Sequence, residues 1–214
     1  ATTVAYVPEK GWFWYIPQHR DMISVGVVAE GKYLSRDGVR EPRDIFHREV
    51  EQNAWIKQHL ACGTQEGEYR VASEYSYRSK YCAADGLLLA GDSFGFLDPV
   101  FSSGVMLALK SGTLSADAIV AAHAAQDFSA ERFTEYSRFM REGIENMRKL
   151  VYAFYDPDFS FRKLTATDRE LTGLITDCLS GDVNKDFSRL YDAVAAFTKV
   201  PPALPYGSPA PREE

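Results

Sequence analysis

Two stretches of this 214-residue sequence hold residue types whose spacing can do chemistry. The first is Leu87 to Gly112, LLLAGDSFGFLDPVFSSGVMLALKSG. An apolar run ends in Gly91-Asp92, a loop follows with Gly95 and Pro99, and a helical pattern opens near Ser103-Gly104. A strand that ends in such a loop delivers side chains to the carboxyl edge of a sheet, where open α/β sheets bind ligands. Asp92 is placed there to accept hydrogen bonds from ligand hydroxyls. The helix start offers unpaired N–H groups and the positive end of its dipole. Gly104 lets a ligand approach the backbone with no Cβ in the way. The plainer alternative is that Asp92 caps a local turn and the glycines only turn the chain. The second stretch is Gly11 to Pro17, GWFWYIP. Residues two apart share one face of a strand, so Trp12, Trp14 and Ile16 can form one apolar wall. The plainer alternative is an aromatic core or sheet face.

The elements that must position these residues follow from periodicity. Val4 to Val7, closed by Pro8, and Trp12 to Ile16, stopped by Pro17, read as strands. Gln18 to Asp21 has turn composition, and Met22 to Ala29 is a Val-rich strand, so a hairpin is expected. Lys32 to Leu34 is too short to assign. Pro42 opens a helix to about Leu60, with Ile45, Phe46, Val50, Trp55 and Ile56 as its apolar stripe. Glu49 and Glu51 read as its solvated face. From Tyr69 to Arg78 apolar and polar residues alternate, which predicts a strand. Asp85-Gly86 is a turn, and Leu87 to Ala90 is a short strand of the fully buried type. Helices are expected over Ser103 to Ala125, from Ser129 to the Asp156-Pro157-Asp158 stop, over Thr167 to Leu179 and over Lys185 to Thr198. The helix from Ser129 carries the stripe Phe133, Tyr136, Met140, Ile144, Met147 and Val151. Five prolines after residue 200 predict a flexible tail over 201–214 without its own core.

Composition sets the outer bounds. Apolar residues are 45% and charged residues 25%, the balance of an ordinary globular chain. No apolar run approaches about 18 residues, so no membrane span is expected. A net charge of −6 argues against a nucleic-acid partner. Cys62, Cys82 and Cys178 are odd in number and far apart, which fits free thiols in a reducing, cytoplasmic setting and no metal site. His19, His47, His59 and His123 are scattered and read as surface or satisfied side chains. Aromatics are in excess, with 13 Phe, 12 Tyr and 3 Trp, as suits a flat ligand or a large core.

The spacing in the first stretch is Gly91-Asp92, six residues, Pro99, four residues, then Gly104. It resembles the second flavin-binding motif of FAD-dependent monooxygenases. The second stretch contains W-x-W-x-I-P, the signature of FAD-dependent halogenases. The resemblance implies the C-terminal part of a flavin monooxygenase-like α+β or α/β fold, with substrate-domain strands, a strand–loop–helix flavin motif and a helical C-terminal region. It implies FAD held by Gly91, Asp92, Pro99 and Gly104, with Asp92 on the ribityl chain. It implies that Trp12, Trp14, Ile16 and Pro17 separate flavin from substrate, keeping the aromatic away from the flavin hydroperoxide so that halide captures the oxidant. Phe101-Ser102-Ser103-Gly104 also matches, and the amides of Ser103 and Gly104 would hold chloride or bromide. Leu179 to Val183 is similar, more loosely, to the C-terminal helices of phenol- and carrier-protein-type halogenases.

Two family parts lie outside the sequence. There is no G-x-G-x-x-G for the ADP pyrophosphate, and no lysine matches the one that directs hypohalous acid, so no catalytic residue is assigned. Lys10 adjoins the aromatic motif but lies outside the pattern. With no start methionine, the chain is expected to be the C-terminal half of such a flavoprotein, missing its N-terminal FAD-binding segment. Its expected divisions are a substrate sheet and helix (1–84), the end of the FAD domain (85–128), a helical region (129–200) and the tail. The expected partners are a small electron-rich aromatic, free or carrier-protein-tethered, and a flavin reductase. The rivals are a related hydroxylase or geranylgeranyl-reductase-like oxidoreductase, which shares only the Gly-Asp motif, and a non-catalytic binding module.

Overall fold

A computed structural model describes residues 2–8, 11–73 and 76–211, in two compact units, Ala1–Ser73 and Glu74–Glu214. Lys10, and Glu74 and Tyr75 of the alternating run, lie outside the described residues.

The first unit is an antiparallel sheet backed by helices. Strands β1 (Thr3–Val7), β2 (Gly11–Pro17) and β3 (Ile23–Val28) pair in that order. The β2–β3 turn places Arg20 and Asp21 at φ near +59° and +55°, the left-handed pair a tight reversal needs. In β2 the pleat sends Phe13 and Tyr15 to one face and Trp12, Trp14 and Ile16 to the other. The Phe13 face is the core, with Val7, Val50 and Ile56. Helix α1 (Gly31–Leu34) falls in the unassigned stretch. The single helix expected from Pro42 to Leu60 is two: α2 (Pro42–Gln52) and α3 (Ala54–Leu60). Asn53 breaks it, because its Oδ1 accepts from Ile56 N–H at 3.0 Å and its Nδ2 donates to the Tyr6 carbonyl at 3.0 Å.

Glu49 is not on a solvated face; it is fully buried. Arg36 and Arg48 lie 2.7 and 2.9 Å from its carboxylate, and the Tyr33 hydroxyl donates to it at 3.1 Å. Arg48 also donates to the carbonyls of Leu34 and Arg36. One carboxylate thus ties α2 to α1 and the turn after it. Burial alone pushes this carboxyl upward, and the hydrogen bonds from Arg36, Arg48 and Tyr33 outweigh it, holding the group below its ordinary value.

The second unit is mainly helical. Short strands β4 (Tyr77–Arg78), β5 (Tyr81–Ala84), β6 (Leu87–Leu88) and β7 (Gly95–Phe96) precede α4 (Gly104–Ala125) and α5 (Thr134–Tyr155). Helices α6 (Phe161–Thr167), α7 (Glu170–Ser180) and α8 (Ser188–Ala195) follow. The α5 stripe is as expected: Tyr136, Met140, Ile144, Met147 and Val151 are all buried, with Phe133 just before them. Other expectations fail. The alternating run forms no ladder over residues 69–73, and among the described residues its pairing starts at Tyr77. Leu87 to Ala90 is not a fully buried strand: only Leu87–Leu88 pairs, antiparallel to β5, and Leu87 is 55% exposed. The helix expected from Ser129 starts later: a 3-10 turn, Ala130–Phe133, intervenes before α5. The expected helix from Thr167 is divided between α6 and α7, where Asp168 turns extended and accepts from Glu170 N–H.

The tail is pinned rather than loose. Strand β8 (Ser208–Pro209) lies parallel to β5, Gly207 N–H donates to the Lys80 carbonyl at 2.9 Å, and Ala210 N–H to Ala83 at 2.7 Å. Ser137 on α5 donates to the Gly207 carbonyl at 2.7 Å. Prolines lack only N–H groups, so the carbonyls and non-proline amides of this segment still bond. β5 therefore belongs with residues on both sides of it, and the chain divides at Ser73/Glu74 rather than at 84/85. Residues of the expected 85–128 and 129–200 segments share one core, with Leu107 and Ala122 beside Ile144 and Leu190. Beneath the tail, Glu145 lies 2.7 Å from Arg78 and 2.8 Å from Arg148, all three side chains nearly buried. The outward stripe of α4 stays uncovered, Val105 at 75% and Leu109 at 69% exposure. Averaged over 18 residues, α4 reaches a mean hydropathy of 1.4, which by length and composition alone suffices to cross a bilayer despite the absence of an uninterrupted apolar run.

Glu49→Gln removes the negative charge from between two guanidiniums. Breaking such a buried pair costs roughly 3–5 kcal/mol, and we expect the lower end because Arg36 and Arg48 keep some solvent contact. The folded carboxyl titrates below its unfolded value. Its stabilisation is therefore complete above the ordinary carboxylate range and is lost as pH falls through the depressed value. Denaturant midpoints should fall across that acid window for the native sequence and change less for Glu49→Gln. Equal midpoints at neutral pH would show that the charge holds nothing.

Candidate functional site

The Gly-Asp corner of the second unit is built from the backbone outward. After β6 the chain turns through Gly91–Ser93 as one 3-10 turn. Gly91 has φ of +56°, a conformation that L side chains rarely adopt, and a Cβ there would stand 3.4 Å from the Ala108 Cβ. Its N–H donates to the Ser111 hydroxyl at 2.8 Å, and that hydroxyl donates to the Ala108 carbonyl at 2.9 Å. The corner is thus seated on α4. From the other side, the Tyr77 hydroxyl donates to the Asp92 carbonyl, and Ser79 donates through its N–H to Phe94 and through its hydroxyl to Ser93. Ser93 does the local capping, accepting from Ala90 N–H and donating to the Ala90 carbonyl. Asp92 is exposed, and no group among the described residues bonds its carboxylate. The turn-capping alternative for Asp92 is therefore not what the structure shows.

The loop then reaches Asp98, whose Oδ1 accepts from Val100 N–H at 2.9 Å. The Tyr155 hydroxyl at the end of α5 meets both carboxylate oxygens of Asp98, at 3.1 and 3.0 Å. Pro99 follows at the first position of a 3-10 turn, Pro99–Phe101, and is exposed. Ser102 takes φ of +53°, reversing the chain into α4. Ser103 precedes the helix, is buried, and makes no side-chain cap. The first helical bond is Leu107 N–H to the Ser103 carbonyl, so the amides at Gly104, Val105 and Met106 have no partner within the helix. Nothing lies within 4 Å of where a Gly104 Cβ would be. Beside this start, Ser102, Val105, Met106, Leu109, Lys110 and Gly181 line an open groove of about 580 Å³. Gly181, from the loosely matched Leu179 to Val183 segment, closes α7 and packs on Met106. The second unit thus brings Gly91, Asp92, Pro99, Ser103 and Gly104 onto one loop and helix start.

In the first unit, Trp12, Trp14 and Ile16 share a face of β2, as the pleat dictates. The two indoles lie 6.1 Å apart, tilted by 58°. Trp12 is buried, Trp14 and Ile16 are half-buried, and Pro17 is exposed at the strand end. Phe13 and Tyr15 belong to the core shared with Val7, Val50 and Ile56, and Trp12 is as buried as Phe13, on the opposite face.

Sequence reasoning missed the residues that hold these groups in place: Tyr77, Ser79, Asp98 and Ser111 around the corner, and Ser24 and Gly26 beside Trp14. An Asp directly before Pro was the visible signal for Asp98, as the start of a turn. A lone Gly inside a Val-rich strand was the signal for Gly26. Three histidines are locally engaged, His47 with Tyr69, His59 stacked on Trp55 at 3.8 Å, and His123 beside Phe128. All three cysteines are free, and burial pushes the Cys178 thiol up to about 11.

Comparison with known proteins converges on one family. Residues 1–167 match the family model described as tryptophan halogenase. The chain is 31% identical over 173 residues to a 1H-pyrrole-2-carbonyl-[peptidyl-carrier protein] chlorinase of Pseudomonas fluorescens, covering 80% of this chain and 38% of that protein. It superposes on the flavin-dependent brominase Bmp2 with a TM-score of 0.77 at 28% identity, covering 92% of this chain and 48% of that one. It also superposes on the myxobacterial chondrochloren halogenase CndH, an FAD-dependent halogenase, with a TM-score of 0.61 at 32% identity, covering 88% and 46%. The chain therefore spans less than half the length of these relatives. With its α+β fold and both motif-bearing segments inside the match, the chain belongs to the FAD-dependent halogenases of the tryptophan halogenase family.

Proposed function

We propose that this chain is the C-terminal part of a flavin-dependent halogenase that places chlorine or bromine on an electron-rich aromatic such as a phenol or pyrrole. The observation that carries the reading is the unbonded, exposed carboxylate of Asp92 on a corner that other residues hold in place, within a family that is flavin-dependent. The residues fit FAD: a free acceptor at Asp92, uncapped amides at the start of α4, and open space at Gly104.

In this reading Asp92 accepts hydrogen bonds from the ribityl hydroxyls, and Gly91 and Pro99 shape the loop that carries it. FAD bound there and reduced by a separate flavin reductase would supply the electrons that activate oxygen, and the activated oxygen is what oxidises a halide. The amides of Ser103 and Gly104 stabilise negative charge at the helix start and hold the halide close to it. Trp12, Trp14 and Ile16, ending at Pro17, keep the aromatic substrate off the flavin, so that halide is the group oxidised. The ADP pyrophosphate and the lysine that directs the hypohalous acid are held by a segment outside these 214 residues. The uncovered stripe of α4 at Val105 and Leu109 offers that segment a face to pack on. The likeness to a chlorinase of pyrrole on a carrier protein supports a tethered pyrrole as substrate, and a cytoplasmic biosynthetic setting suits such a carrier. The hydroxylase rival lacks a use for W-x-W-x-I-P; product that does not depend on added chloride or bromide would favour it.

Three outcomes test this. In the protein carrying the complete flavin site, Asp92→Ala should weaken FAD binding about ten- to hundred-fold, the loss of one charge-assisted bond of about 1.5–3 kcal/mol, with the fold intact. Unchanged flavin occupancy would remove Asp92 from the site. The 214 residues alone should bind FAD no better than micromolar in a fluorescence titration, because half the contacts lie elsewhere. Trp14→Ala should leave a folded protein that consumes reduced flavin but yields less halogenated product per flavin oxidised. If instead melting drops by the equivalent of about 3–5 kcal/mol while that ratio holds, Trp14 is core and not barrier.

A further inference from the structure

Trp14 sits in a place that β3 prepares for it. Its directly opposite partner is Gly26, and a Cβ there would stand 2.2 Å from two carbons of the indole's six-membered ring. No such contact is tolerable, so the volume over Gly26 belongs to the indole. Two residues earlier, on the same face of β3, the Ser24 hydroxyl accepts the indole N–H at 3.1 Å. The strand reads ISVGVV. Its core-facing positions, Val25 and Val27, keep the β-branched residues that suit a strand. Two of the three residues on the other face, Ser24 and Gly26, depart from that composition, and both meet Trp14. A glycine inside a strand weakens it and marks close approach by a neighbour.

We infer that Ser24 and Gly26 are the positioning residues of Trp14, Gly26 by the space it leaves and Ser24 by the bond that sets the ring's rotation. Together they hold the 6.1 Å, tilted pairing with Trp12. For its effect on turnover this inference rests on the barrier reading: the orientation of the wall is then set from β3, outside the aromatic motif, and substitutions at Ser24 or Gly26 tune which molecules reach the oxidant.

The test uses the full-length protein and reads two signals. One is the exciton couplet of the Trp12–Trp14 pair in far-ultraviolet circular dichroism, defined as the part of the spectrum that Trp14→Phe removes. The other is halogenated product per flavin oxidised. Gly26→Ala should abolish the couplet, Ser24→Ala should shrink it, and Ser24→Thr, which keeps the hydroxyl, should restore it. Product per flavin should fall several-fold in the first two variants and recover in the third. A couplet undiminished in both Gly26→Ala and Ser24→Ala overturns the inference whatever the activity does. A couplet lost with product per flavin unchanged supports the positioning role and overturns the barrier reading instead. Should Gly26→Ala fail to fold, the Ser24→Ala and Ser24→Thr pair decides alone, since the first removes only the hydroxyl oxygen and the second keeps the hydroxyl.

Discussion

Gly91 reaches the second unit's site at a positive φ, with its amide on the Ser111 hydroxyl and its missing Cβ facing Ala108. The rest of that site follows from this seating. The corner is seated on α4 at Ala108 and Ser111, which fixes the backbone that carries Asp92. Tyr77 and Ser79 clamp the same corner from β4, using its backbone carbonyls and leaving the Asp92 carboxylate unused. A loop whose backbone is satisfied by neighbours can keep a charged side chain free for a ligand, and rigid support of this kind is what precise binding requires.

Each unit is also latched by a buried carboxylate shared between two guanidiniums. In the first, Glu49 meets Arg36 and Arg48; in the second, Glu145 meets Arg78 and Arg148. Desolvation offsets much of the attraction in such clusters, so their forming adds little net stability while their breaking costs several times more. Their effect is on which segments must come together. Glu49 gathers α1 and α2, and the Arg148–Glu145 pair sits where the Pro-rich segment crosses α5, with Arg148 also donating to the Pro202 carbonyl. Burial pulls the Arg78 guanidinium below its ordinary value, against the pull of Glu145.

The three-stranded sheet separates two tasks that one aromatic sequence carries. Phe13 and Tyr15 serve the core, meeting Phe46 and Trp55 edge-on at 6.2 and 5.2 Å. Trp12 and Trp14 face the other way, away from Phe46 and Val50. The period of two in a strand is what makes this division possible, and β3 repeats it with valines on one side and Ser24 and Gly26 on the other.

The sequence by itself determined the strands at both ends of GWFWYIP, the α5 stripe, the Asp92–Pro99–Gly104 loop and the family, because each is set by spacing within one segment. Tertiary structure alone decided the rest. Glu49 looks like any helix-surface glutamate until Arg36, Arg48 and Tyr33 fold around it, and of the strand-like run from Tyr69 only Tyr77–Arg78 pairs among the described residues, because alternation supplies a face but not a partner. The Pro-rich end reads as a tail because its bonds are to Lys80, Ala83 and Ser137, more than sixty residues away. Ser111 reads as an ordinary helix serine until Gly91 arrives. Periodicity reports what a segment can bury or expose locally; which polar groups are left without water, and which backbone atoms meet across long loops, is fixed only when distant segments pack.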